Sequence, residues 1–161
     1  MADLAAPNPG NYTFGAHSLS IAGVDLGNIV NANVAVTVEE ISHFSALSGD
    51  DVEDANIIRR IRYEVSVTLD EPNKTNMFRF FMADATGKVG MAATAAVAAV
   101  FAGIPISGNA FSWAIPKCYV RPNGNFGYNK DDWTQFELLL KLVADPNAPL
   151  APYGTITHTG V

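Results

Sequence analysis

Apolar and polar side chains alternate most cleanly in two stretches of the chain, and a period of two marks each as a β-strand. In the first, Val34, Val36 and Val38 fall on one face and Asn33, Ala35, Thr37 and Glu39 on the other, so the valine face is expected to be core. In the second, Ile61, Tyr63, Val65, Val67 and Leu69 oppose Arg60, Arg62, Glu64, Ser66 and Thr68, and the β-branched content disfavours a helix. Ahead of both, Ser18 to Ala22 alternates, and Gly23 to Asn28 supplies turn residues before Ile29, which together predict a β-hairpin.

The stretch from Ser42 to Asn56 breaks the alternation. Its acids Asp50, Asp51, Glu53 and Asp54 are too polar to bury, so residues 42–56 are expected to project as a loop, and a loop this long inside one domain is a candidate for contact with another subunit. Turn formers at Asp70 to Asn73 then precede a short helix over Lys74 to Met82, whose Met77, Phe78, Phe81 and Met82 form one stripe able to seat it on a sheet. Residues 83–115 include an Ala-rich run, Ala92 to Phe101, with helix-forming composition in a β context, and leave strand or helix open. Trp113 to Val120 reads as a strand, Arg121 to Asn125 as a turn, and Trp133 to Val143 as a final strand with both faces partly apolar. The aperiodic residues 1–11 predict an N-terminal arm, and the Pro-rich sequence over 145–161 an extended C-terminal tail.

Composition changes this picture in one respect. A chain of 161 residues suits one domain, but only 16% of them are charged while 48% are apolar, so part of the surface is expected to meet protein rather than water. The net charge of −6, with no cluster of Lys or Arg, disfavours tight nucleic-acid binding. No leader or lipid anchor is expected from Met1 to Pro7, and synthesis in the cytoplasm follows. His17, His43 and His158 have no partners at metal-ligand spacing, and the single Cys118 is expected to be buried rather than nucleophilic. Glu39-Glu40 point to opposite faces of a strand, and Asp131-Asp132 sit at a turn, so neither pair forms a catalytic dyad. No cofactor and no enzymatic activity are expected.

The order of elements carries a resemblance. A Phe14-Gly15 start, the turn Gly23 to Asn28, the strand Ala32 to Glu39 and the segment Glu40 to Gly49 are followed by the acidic Asp50 to Asp54, the strand Ile58 to Leu69 and Asp70 to Phe81. Pro116 to Pro122 and Asp131 to Leu138 complete the set. In this order the chain resembles the phage major tail protein, or tail tube, family over about two thirds of its length. It departs in the Ala/Gly-rich stretch Ala83 to Ala114 and in the Pro-rich end.

The resemblance implies a mainly β fold, a β-sandwich or half-barrel flanked by one short helix. It also implies a virion protein that forms hexameric rings stacked into a tube for DNA ejection, with tape measure, tail terminator and distal tail proteins as neighbours and no membrane anchor. Within that frame, Asn33, Thr37, Glu39, Glu64, Ser66 and Thr68 are expected to line the lumen, where small polar and acidic groups let DNA slide. Arg60 and Arg62 share that face and are expected to pair with acids of the 50–54 segment. Phe44 and Leu47, with Asp50, Asp51, Glu53 and Asp54, are expected to make ring-to-ring contact. Two alternatives are a type VI secretion tube protein and a carbohydrate-binding β-sandwich that would use Trp113, Tyr119, Phe126, Tyr128 and Trp133 as a stacking platform.

Overall fold

The computed structural model describes residues 14–45, 52–91, 95–107, 110–128 and 130–159. Its elements, in chain order, are β1 (Phe14–Ile21), β2 (Val24–Asp25), β3 (Ile29–Ser45), β4 (Val52–Leu69), α1 (Lys74–Phe80), β5 (Val97–Ser107), β6 (Ala110–Asn123), β7 (Phe136–Leu142) and β8 (Thr155–Thr159). All eight strands join one antiparallel sheet in the order β2-β1-β5-β6-β7-β4-β3, with β8 on the edge of β6 that β7 also uses. The fold is mainly β with one short helix, as the sequence led us to expect.

Register explains the core. Leu19 lies opposite Phe101 and Phe101 opposite Trp113, while Val120 pairs with Leu140 and Leu140 with Val65, so apolar side chains line up across neighbouring strands on one face. These residues, except the half-buried Val120, are buried, together with Ile21, Leu26, Val67, Leu69, Ile115, Phe136, Leu138 and Leu142. The sheet curls over this face until β1 and β3, near the two ends of the strand order, touch. Helix α1 rests against β6 and β7, where the Phe80 ring meets Phe136 at 5.8 Å and Phe126 at 5.5 Å between centroids.

One end of the sheet is tied by side chains from its connections. Asn73 caps α1 by accepting from the Asn76 amide, and the buried Asn76 side chain donates to the carbonyls of Leu26 and Glu71. Asn28 donates to the Asp70 carboxylate, and Gly27, at φ +84°, leaves no room for a Cβ beside Glu71. The links β2–β3 and β4–α1 are thereby joined.

Several expectations change. The β1–β2 hairpin turns at Ala22-Gly23, both at positive φ, rather than over residues 23–28, which lead β3 to the far end of the sheet. The Ala-rich stretch enters β5, because pairing to β1 and β6 on both sides overrides helix propensity. Strand β6 continues through Asn123 where a turn was expected, and β7 starts at Phe136 rather than Trp133. The 145–161 segment is not wholly extended: turns lead to β8, and Gly154 passes so close to the Ala114 carbonyl that a Cβ would collide with it. Within α1 the buried residues are Asn76 and Phe80, while Met77 and Phe78 are half-buried; just past its end Phe81 is exposed and Met82 half-buried. The predicted stripe is rotated because the N-cap orients Asn76, and with it Phe80 one turn later, towards the sheet.

Two stability measurements follow. Phe136→Ala, at the meeting point of Phe80, Phe126 and β4, is expected to cost about 3–5 kcal/mol in urea unfolding. Ala22→Asn relieves an alanine held at φ 52° and is expected to raise stability by about 0.5–1 kcal/mol in the same assay.

Candidate functional site

Strands β3 and β4 outrun the rest of the sheet. Only Glu64 to Leu69 of β4 pair with β7, whereas β3 accompanies β4 all the way to Ser45↔Val52. Beyond Glu64 the two strands therefore form a ribbon with no further strand on either edge among the described residues. Residues 42–45 and 52–56 belong to this ladder, which corrects the expected loop at those positions, and residues 46–51 lie outside the described residues. Acids too polar to bury still join a strand when both of its faces are solvated, as Glu53 and Asp54 do here.

The arm is apolar where it is uncovered. Ile41 and Ile57 are direct cross-strand partners, 54% and 68% exposed, and Ile58, Phe44, Val36 and Val38 are exposed as well. Val34, Val36 and Val38 do share the face of Val65, but none of the described residues covers them and all three are exposed, so the expectation that they are core is corrected. Tyr153, packed 4.8 Å from the Tyr63 ring, covers the base of the arm and stops there. A two-stranded ribbon alone is marginally stable in water, and burying each such side chain is worth about 1.5–3 kcal/mol.

The six proposed lumen residues are brought together. Asn33 pairs with Ser66, and Thr37, Glu39, Glu64 and Thr68 follow on the same face, opposite the core. Glu39 grips both arginines there, Arg62 at 2.7 Å and Arg60 at 3.5 Å, rather than leaving them to the acids at 50–54. Lys141 of β7 stands 3.8 Å from Glu64. Positive and negative groups thus meet at close range, with the three cations Arg60, Arg62 and Lys141 against the two carboxylates Glu39 and Glu64.

At the far end of the arm, Phe44 is exposed, Glu53 accepts from Asn56, and Asp54 bonds His43 across the ladder. Leu47, Asp50 and Asp51 lie outside the described residues. The aromatic platform is not assembled: Trp113 is buried and donates to the Tyr153 carbonyl, Phe126 packs on Phe80, and Arg121 covers Tyr119. Only Tyr128 and Trp133 of the five are exposed. Among the described residues no three His, Cys, Asp or Glu side chains gather as a metal site, and no helix is long and apolar enough to cross a membrane.

No protein-family model and no curated protein matches the chain.

The exposed isoleucines are what sequence reading missed. A signal was present, since the adjacent Ile57 and Ile58 must point to opposite faces of any strand and cannot both enter one core.

Cys118 is fully buried, its Sγ 3.3 Å from the Val97 carbonyl, and burial pushes the thiol up to about 11. The folded chain holds that proton more tightly than the unfolded chain. The resulting stabilisation is whole below pH 9 and is lost as pH rises through about 11. Urea midpoints should fall across that window, with a shallower fall in Cys118→Ala, and iodoacetamide should label the native thiol at pH 7 only after denaturant is added.

Proposed function

We propose that this chain is the structural subunit of a phage tail tube, polymerising through its β3–β4 arm into stacked rings, hexameric as in the family it resembles, around a channel for DNA. The observation that carries this reading is the arm itself: a ribbon with edges unpaired among the described residues and an exposed Ile41–Ile57 pair, which copies of the same sheet are suited to cover. Head-to-tail contacts of this kind close into rings when the rotation between copies permits.

The polar face of β3 and β4 supports the channel. Glu39 and Glu64 offset all but one of the charges of Arg60, Arg62 and Lys141, so beside the amide of Asn33 and the hydroxyls of Thr37, Ser66 and Thr68 the face keeps only a weak grip on phosphate, which suits the passage of DNA. In this reading the protein resides in the virion, and other tail proteins meet the two ends of the tube.

Negative-stain microscopy of the purified chain is expected to show tubes or stacked rings, and monodisperse single subunits at every concentration would defeat the reading. The double variant Ile41→Glu, Ile57→Lys keeps a favourable cross-strand pair, so its urea midpoint should stay near wild type while tubes are lost.

A further inference from the structure

The tied end of the sheet, where β1, β4 and β6 finish and β3, β5 and β7 begin, also holds a cavity of about 480 Å³ between α1, the Ala22 turn, the start of β5 and the end of β6. Pockets that take small organic ligands span roughly 300–1,000 Å³. Phe78, Val97 and Val120 give this one apolar walls, and Lys74, Arg79 and Arg121 bring three cations to it against one lining carboxylate, Asp84. That carboxylate is engaged in its own loop, where Oδ1 accepts from the Thr86 hydroxyl and from the amides of Thr86 and Lys88. The lining is therefore positive in a chain of net charge −6.

Neutral groups hold the three cations in place. Arg79 donates from Nη2 to the Ile21 carbonyl at 3.0 Å, Arg121 donates to the Val120 carbonyl and lies 5.1 Å over the Tyr119 ring, and Lys74 Nζ stands 5.3 Å over the Phe78 ring. Carbonyls and rings orient a cation without neutralising it, and none of the three meets a carboxylate at ion-pair distance among the described residues.

Arg79 Nη1 points most directly to a ligand. It is buried, and no acceptor reaches it among the described residues. Burial also holds the guanidinium pKa below its ordinary value, as expected of a cation taken from water without a counterion. A buried charged donor left without a partner is costly, so something from outside the chain has to complete its bond. A water would supply an acceptor, whereas an anion supplies both the acceptor and the charge.

We propose that this cavity is a binding site for a small amphipathic anion, a phosphate or carboxylate head on an apolar body. The head accepts from Arg79 Nη1 between the charges of Arg121 and Lys74, and the body lies against Phe78, Val97 and Val120. The donors select the head, because a guanidinium fork matches the paired oxygens of phosphate and carboxylate. The walls select the body, since a bare inorganic ion would leave them wet. Every lining residue belongs to one subunit, so the site needs no second copy and is independent of assembly through the β3–β4 arm.

Octyl phosphate is the probe, with inorganic phosphate and octanol as its two halves. In calorimetric titration of the purified chain it is expected to bind one to one, at least about tenfold more tightly than either half. Arg79→Gln should weaken it by at least about tenfold, because the head loses its charged donor. Circular dichroism checks that this variant folds, and Lys74→Gln, Arg121→Gln, on an exposed and a half-buried side chain, should weaken binding similarly and decides the matter if Arg79→Gln unfolds. Absence of binding, or an affinity no better than that of octanol or of inorganic phosphate, would overturn the assignment. So would an affinity unchanged in the variants, which would place the probe on exposed apolar surface such as Ile41 and Ile57. Tube formation is read separately by microscopy, so either reading can fail while the other stands.

Discussion

The difference in length between β4 and β7 governs this molecule. A strand in the middle of a sheet is stabilised on both edges, and β4 enjoys that only from Glu64 to Leu69. Inside that span Val65, Val67 and Leu69 are fully buried against Leu138, Leu140 and Phe136. Outside it, the same alternation continues over Ile61 and Tyr63, and β3 carries Val34, Val36 and Val38 where none of the described residues covers them. One continuous ladder thus begins as the interior of a subunit and ends as its surface.

That transition sets the limit of what the sequence disclosed. Periodicity states which residues share a face, so the partition of β4 into Val65, Val67, Leu69 against Glu64, Ser66, Thr68 was legible in full. Whether a second layer covers that face is a property of strand length and neighbours, and the three valines of β3 were misjudged for that reason. Glu53 and Asp54 hid the ribbon in the same way, since charge argues against burial and not against pairing. In the helix, apolar count favoured Met77, Phe78, Phe81 and Met82, whereas a buried asparagine decided the orientation. A polar residue that satisfies two carbonyls is invisible to a hydrophobic stripe.

The two ends of the sheet are built from different chemistry. At one, Asn28, Asp70, Glu71, Asn73 and Asn76 bond one another and the backbone, which holds the entry to β3 and the start of α1 at fixed positions. At the other, His43 bonds Asp54 and Asn56 donates to Glu40 across the ribbon, while Asn56 also donates to Glu53 along β4.

The register breaks at Glu39/Glu40 and at His43/Phe44 have a further effect. Each inserts an extra residue on β4, and a bulged ribbon twists more strongly than a regular one. A long, flat, greasy edge would be a template for amyloid-like stacking, and the twist denies it the straight, in-register surface on which fibrils grow. The same kinks that aim the arm therefore protect newly made chains from sticking together in the wrong way.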